Sequence, residues 1–469
     1  MGEWLLEPLN LTVAVAAHVT GCDNAAGDAQ EEARKIVLLE QRYDAIVIGS
    51  GVGGSCAAAL LADEGYKVLL AEKRAYLGGR FSTSDHDGYL CATGGLAVQV
   101  GGPIEKVCAQ IGIESGVRPA SRSAWWIAGH FHEISATGGS LRATIRKVAE
   151  SEDESRCVSD ALNDALNWLE PTDALSFRDW LNQYTTNPRI HGLFQSTIAS
   201  LLTVNSWELP ASEYFKVVRN IAPLRFGYVE GGSLKLWERM ANFVRSRGGG
   251  VVTSCAATAI ASHSGRVTGA TLRMNGRDVR VEAPVVVSNL GPHATVALAG
   301  RGPFELSYLA RLDRDVRPTA ILWLHFVSDE PVLDYSAIAV CGTRRVNMVD
   351  APSYDCPDIA PPGKHLYTVG AAPFDTLAPG DIDAEFALVM DDLRDIIPGF
   401  DTRCRVLTRT CYRGKWPGFR TVPGSPVPHR TPVMGLFNVG DASCPRGFAG
   451  SMGAATSALL VRDDLRQSA

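Results

Sequence analysis

The stretch RYDAIVIGSGVGGSCAAALLADEGYKVLLAEKRAYLGGRF, residues 42–81, leaves this chain few ways to fold. A short apolar run from Tyr43 to Ile48 meets Gly49-x-Gly51-x-x-Gly54. An Ala-rich amphipathic stretch from Ser55 to Glu64 follows, then a stop at Gly65 and a second apolar run, Val68 to Ala71, ending at Glu72. That order predicts a βαβ unit. In such a turn the glycines permit a tight strand-to-helix corner, close backbone approach to a pyrophosphate and close helix packing, while the helix N-terminus offers unpaired N–H groups and a positive dipole end. An acid where Glu72 stands accepts hydrogen bonds from an adenosine ribose and repels a 2′-phosphate, which disfavours NADP and leaves NAD or FAD. Gly78-Gly79-Arg80 goes beyond what a plain NAD fold requires. A glycine pair lets backbone run against a ligand, and an arginine makes a charge-assisted contact to a pyrophosphate.

With 469 residues, 46% of them hydrophobic, the chain is long enough for two or three domains with full cores. Its formal net charge of -6, with Lys and Arg scattered, supplies no basic field, so nucleic acid is excluded as a partner. The eleven cysteines run from Cys22 to Cys444 without a CxxC pair or a His-rich partner spacing, so neither a disulfide framework nor a metal site is expected. Reduced thiols in a cytoplasmic protein are the expectation. Residues 1–42 contain LNLTVAVAAHVTGC, but no positive n-region precedes it, and the apolar run is too short and interrupted to span a bilayer. They read as an N-terminal extension.

No internal repeat or low-complexity segment is present. Residues 96–225 read as mixed, with helices near Leu141–Glu150 and Ser159–Leu169. Residues 231–289 give a helix, GGSLKLWERMANFVRSRGGG, and then the short strands VVTSC, ATAIAS, GRVTGATLRM and RDVRVEAPVVVSN. Residues 301–404 return to α+β texture, with strand-like AILWLHFV and a charged helix from Asp383 to Ile396. The terminal LFNVGDASCPRGFAGSMGAATSALLV is a strand, a Gly-Asp turn, a Gly-rich connection and an Ala-rich helix. The alternation predicts an α/β protein in which a Rossmann-like dinucleotide-binding domain (43–95, 226–300, 405–469) is interleaved with an α+β substrate domain (96–225, 301–404).

The run AIVIGSGVGGSCAAALLADEGYKVLLAEKRAYLGGRFST resembles the N-terminal fingerprint of the phytoene desaturase branch of the flavin amine oxidase superfamily. Three further blocks agree in order: YVEGGSLKLWERMANFVRSRGGGVVTSCAATAI, APVVVSNLGPHAT and TPVMGLFNVGDASCPRGFAGSMGAATSA. The resemblance implies a bound FAD, with Gly49, Gly51, Gly53, Gly54, Gly79 and Arg80 at the pyrophosphate and Glu72 with Lys73 at the ribose. It places the backbone of Ala257 at the adenine and Gly440-Asp441 at the ribityl and phosphate. It also points the helix that starts at Gly450, Ser451 and Met452 toward the flavin ring, where a helix N-terminus stabilises the negative charge of the reduced ring. Two departures lie near that ring: Ala92 where relatives often carry aspartate, and Pro445-Arg446-Gly447 where they often carry Pro-Gly.

The chemistry this implies is hydride exchange between flavin N5 and a carbon of a largely apolar small molecule, such as an isoprenoid or alicyclic compound, by desaturation or saturation. Oxygen and a quinone are the candidate electron acceptors. An apolar substrate also suggests peripheral membrane contact through residues 1–42 or the helices of 96–225. Candidate proton acceptors are His130 and His132 in WWIAGHFHEI, although Ala128-Gly129 reads as a hairpin turn on which such residues are solvated. His325 in ILWLHFV is a third, with a satisfied core histidine as its competing reading. Tyr412, Trp416 and Phe448 are candidate cavity walls. Three other functions share this architecture: amine oxidation, redox-neutral isomerisation or hydration with reduced FAD, and flavin-free prenyl-protein binding of the GDP-dissociation type.

Overall fold

A computed structural model describes residues 40–134, 141–222, 225–414, 420–424 and 427–468. The N-terminal extension up to residue 39 and Trp416 lie outside the described residues.

The glycine turn sits where its pattern demands. Strand Ala45–Ile48 is buried along its length and feeds the helix Val52–Asp63, whose small side chains are almost all inaccessible. Small residues let this helix pack closely against helix Ser233–Ser246 and the terminal helix Gly450–Ser468. Strand Ala45–Ile48 is the centre of a five-stranded parallel sheet, flanked by Val68–Ala71 and Gly250–Val252 on one side and by Val285–Ser288 and Leu436–Asn438 on the other. Parallel strands covered on both faces need continuous apolar runs, and VLLA and VVVS are such runs. The segment RDVRVEAPVVVSN, which the sequence suggests is one strand, is two. Arg277–Glu282 belongs to an antiparallel three-stranded sheet, and Val285–Ser288 crosses to the parallel one after Pro284, which lacks the N–H needed to continue a ladder.

A second, seven-stranded sheet runs in the order Cys404–Tyr412, Ile321–Ser328, His365–Ala371, Val346–Asp350, Ala337–Cys341, Ser123–Ile127 and His130–Ile134. The first of these strands falls within the sequence segment 405–469 yet pairs with Ile321–Ser328 throughout. Ile321–Ser328 is buried at every residue because both faces are covered. Leu322, Leu324 and Phe326 enter a core shared with helix Ile382–Ile396, while Ile321, Trp323, His325 and Val327 alternate onto the opposite face. Helices Glu152–Asn167, Pro188–Leu202 and Ala211–Ile221 form a separate aromatic-rich core around Phe177, Trp180, Phe194, Tyr214 and Phe215. Two of these helices, Pro188–Leu202 and Ala211–Ile221, are not evident in the sequence pattern.

Candidate active site

Glu72 terminates the second strand of the βαβ unit and is 5% exposed. The Ser50 N–H and Ser50 Oγ both donate to its Oε2 at 2.8 Å, and the Arg74 N–H donates to Oε1 at 2.8 Å. A carboxylate has about four acceptor sites, so one position, on Oε1, remains for a ribose hydroxyl. Lys73 is exposed beside it. Ala257 lies on the strand that starts at Cys255, whose N–H donates to the Glu72 carbonyl.

The glycines are held by steric demands that any side chain would violate. A Cβ on Gly54 would lie 1.9 Å from the Gly49 carbonyl oxygen. One on Gly53 would lie 2.9 Å from both Asn289 Oδ1 and the Gly440 nitrogen. The turn, Asn289 at the end of strand Val285–Ser288, and the distant Gly440 therefore converge on one point. Gly79, with φ +60°, faces Gly51 across open space, its nearest neighbour being the Gly51 Cα at 3.8 Å from an added Cβ. Two glycine backbones bordering a cleft beside a helix N-terminus without acidic side chains in its first turn fit a diphosphate.

The electrostatics agree. Asp441 accepts from the Thr421 N–H at 2.6 Å, and its carboxyl is pushed up by burial and pulled back by Arg80 and Arg420. Burial lowers the Arg80 guanidinium and brings that of Arg420 down to about 10, while Asp441 opposes both shifts. Two cations beside one carboxylate leave an excess positive charge, as an anionic cofactor requires. Arg420 lies against the start of the terminal helix, since a Cβ on Gly450 would be 2.6 Å from its Cζ. Gly450 and Ser451 open that helix, whereas the Met452 side chain is buried in the helical core with Phe194 and Tyr214. Arg420, Asn289 and Ser50 were not singled out in the sequence. Asn289 lies inside a block that carries the resemblance, but Arg420 stands in a segment without pattern.

A cavity of about 190 Å³ opens beside this cluster. One wall is Gly79, Arg80, Ala92 and Thr93; the other is Trp323, His325, Thr408, Thr410 and Tyr412, from the edge strand Cys404–Tyr412 of the seven-stranded sheet and its neighbour Ile321–Ser328. Thr93 ties the walls together. Its Oγ1 donates to the Gly79 carbonyl at 2.9 Å, and its own carbonyl accepts from the Tyr412 hydroxyl. Thr408, Thr410 and Tyr412 reach the same face because they alternate along one strand, in register with His325, Trp323 and Ile321. That alternation is visible in LTRTCY, with the arginine pointing away.

His325 is 3% exposed. Its Nδ1 lies 2.7 Å from Thr408 Oγ1, and its Nε2 has no hydrogen-bond partner among the described residues. Burial, with a smaller contribution from His86, drives its pKa down to about 3, so the ring is neutral at physiological pH and too weak a base to take a proton from carbon. His130 and His132 sit on the hairpin strand at the far edge of the same sheet, exposed and half-buried, and neither lines the cavity. The hairpin turn itself is as expected, with Ala128 and Gly129 at φ 50° and 86°. Phe448 lines a separate small space with Glu213, Asp441, Cys444 and Arg446 rather than joining Tyr412.

Residues 52–461 match the family described as flavin containing amine oxidoreductase. Prolycopene isomerase 2 from an Oncidium hybrid cultivar is 41% identical over 76 residues, 16% of this chain and 12% of that protein. Phytoene desaturase from Cercospora nicotianae is 42% identical over 72 residues, 15% of this chain and 12% of that protein. The chain thus matches only about one eighth of the length of these curated relatives. Among solved structures, an oxidoreductase from Methanosarcina mazei superposes with a TM-score of 0.78 at 23% identity, over 89% of this chain and 99% of its own, which establishes a common fold.

Proposed function

Because this chain belongs to the flavin containing amine oxidoreductase family, we propose that it uses its FAD to desaturate or saturate a carbon–carbon bond of a largely apolar small molecule. The observation that carries this reading is the cavity that joins the Gly79–Arg80 wall to the buried sheet face of Trp323, His325 and Tyr412. FAD bound there supplies hydride transfer. The chain's residues do the rest. Gly49, Gly51, Gly53 and Gly54 form the pyrophosphate corner, Glu72 accepts from the ribose, and Arg80 and Arg420 balance the cofactor's charge. The sheet face excludes water and holds the reacting carbon. The fingerprint shared with a phytoene desaturase supports carbon–carbon redox chemistry.

Amine oxidation is disfavoured by charge. The described residues lining the cavity include no Asp or Glu to pair with an alkylammonium. Redox-neutral isomerisation is the second reading, supported by the equally similar fingerprint of a prolycopene isomerase. Anaerobic stopped-flow mixing separates the two. A desaturation substrate bleaches the flavin absorbance of the oxidised protein in one turnover, whereas isomerisation gives product with no net bleaching. Product formed without bleaching sinks the desaturation reading.

A further inference from the structure

Between the glycine turn and the terminal block stands a side chain whose polar atoms neither of them uses. Asn289 follows strand Val285–Ser288, and its N–H donates to the Ile48 carbonyl at 2.9 Å, which fixes its backbone at the mouth of the turn. The carboxamide leans over the start of helix Val52–Asp63. A Cβ on Gly51 would lie 2.6 Å from its Nδ2, and one on Gly53 would lie 2.9 Å from its Oδ1. From the other side, a Cβ on Gly440 would lie 3.3 Å from the same Oδ1. Despite these neighbours, the carboxamide makes no hydrogen bond to another described residue. The Gly440 N–H is taken by Ser457 Oγ at 2.9 Å, and Asn438 on the adjoining strand commits its own amide to Thr295 and Tyr308. Asn289 is half-buried, and its amide atoms are not sealed from solvent, so a ligand lying on the turn can reach them.

We propose that Asn289 is a cofactor-binding residue, its Nδ2 donating to a diphosphate oxygen of FAD. This assignment rests on the reading of the glycine turn as the diphosphate corner, and it adds to that corner a side chain from outside the βαβ unit. The first N–H groups of helix Val52–Asp63 have no carbonyl within the helix to bond, and no acidic side chain stands in its first turn. Nδ2 adds a further donor on the side where Gly51 lets backbone approach a ligand. Oδ1 is turned toward Gly53 and Gly440, which leaves Nδ2 as the group that meets an acceptor. An amide also donates without carrying charge, so it stands beside the positive end of the helix without the repulsion a lysine would meet there. The competing role is packing, in which the amide fills the gap between the turn and Gly440 and the glycines serve to admit it. The two roles differ in what a negative charge at this position does.

The test is Asn289→Asp, which keeps the shape and replaces the donor with a carboxylate. A carboxylate near a helix N-terminus is favourable, so the FAD-free full-length variant should keep or raise its Tm. Its affinity for FAD, read from free-flavin fluorescence on dilution of the loaded protein, should fall about tenfold to a hundredfold at pH 8, the worth of a hydrogen bond to a charged group. Lowering the pH to 5 should narrow the gap to wild type. A carboxyl facing a diphosphate holds its proton above the ordinary aspartate range and, once protonated, donates as the amide does. Affinity within about twofold of wild type at pH 8 overturns the proposal. So does a loss that comes with a lower FAD-free Tm, the mark of the packing role, or a loss that is as large at pH 5. Asn289→Leu, which keeps the volume and removes the donor, checks the result without adding charge. A loss of about tenfold, equal at pH 8 and pH 5, supports the proposal; retained affinity overturns it. Arg80→Met tests the underlying reading separately. Weaker FAD binding in Arg80→Met with none lost in Asn289→Asp leaves the diphosphate corner standing and strikes Asn289 from it, whereas full affinity in both counts against the corner itself.

Discussion

Glu72 shows how much one residue carries. Its carboxylate closes the glycine turn through Ser50 and the following loop through Arg74 before it meets any ribose. Glu72→Ala is therefore expected to release FAD, measured as the ratio of flavin to protein absorbance after gel filtration, and to lower Tm by several degrees even without cofactor. Full FAD occupancy in the variant would refute the ribose assignment. Glu72→Gln should fall between, because an amide keeps one acceptor but turns a donor toward Ser50 or Arg74. Asp350 makes a different residue-scale prediction. Burial raises its pKa to about 7, against an ordinary aspartate near 3.9, with the neighbouring Tyr228 hydroxyl pulling it back. The Tyr228 hydroxyl donates to the Ser336 carbonyl at 2.7 Å, so its oxygen is left to accept from a protonated Asp350. The folded state then holds a proton that the unfolded state has lost, and stability falls as pH rises from about 4 to about 7, levelling off above. Asp350→Asn should remove that slope and raise Tm at pH 8 more than at pH 5, as thermal melts across this range will show.

At the scale of elements, backbone rather than side chain shapes the glycine turn. An added Cβ at Gly54 would be 1.9 Å from a carbonyl oxygen of the same turn, which no rotamer change relieves. Gly54→Ala should cost about 3 kcal/mol or more in urea unfolding and abolish FAD retention, because the helix must move away from its strand. The link between the terminal block and helix Ala211–Ile221 is electrostatic. Glu213, inaccessible to solvent, accepts from the Gly447 N–H at 2.7 Å and from Arg446 Nε at 3.1 Å, while the Arg446 guanidinium also makes a bidentate contact with Asp173. Arg446→Met leaves Glu213 buried without its cation and is expected to cost about 3 kcal/mol, most of which Glu213→Gln in the same chain should recover. Arg446 is the residue at which this chain departs from the Pro-Gly of the family it resembles.

Across the described residues, the βαβ unit and the parallel sheet were legible in the sequence, and the pairing of the seven-stranded sheet was not. The turn and Gly440 are readable because the fold demands glycine where Cβ atoms would collide, and the diphosphate and ribose roles of Glu72, Gly79-Arg80 and Asp441 are what the resemblance implies. No helix among the described residues is long and apolar enough to cross a membrane. His130 and His132 looked reactive because of their aromatic neighbours, yet they lie at the sheet edge opposite the cavity. His325 looked like ordinary core within an apolar strand, and only the pairing of that strand with Thr408 and Thr410 puts it in the cavity wall. Arg420 acquires its place from the fold alone, half-buried between Asp441 and the terminal helix.

The sequence by itself thus determined the βαβ unit, the cofactor class and the order of the segments, since these depend on local spacing, period and glycine sterics. The tertiary structure decided which polar groups face one another across the cavity. That choice depends on strand order and register between residues 80 or more positions apart, as with His325 and Thr408, and side-chain alternation along one strand states only which residues share a face, not what that face meets.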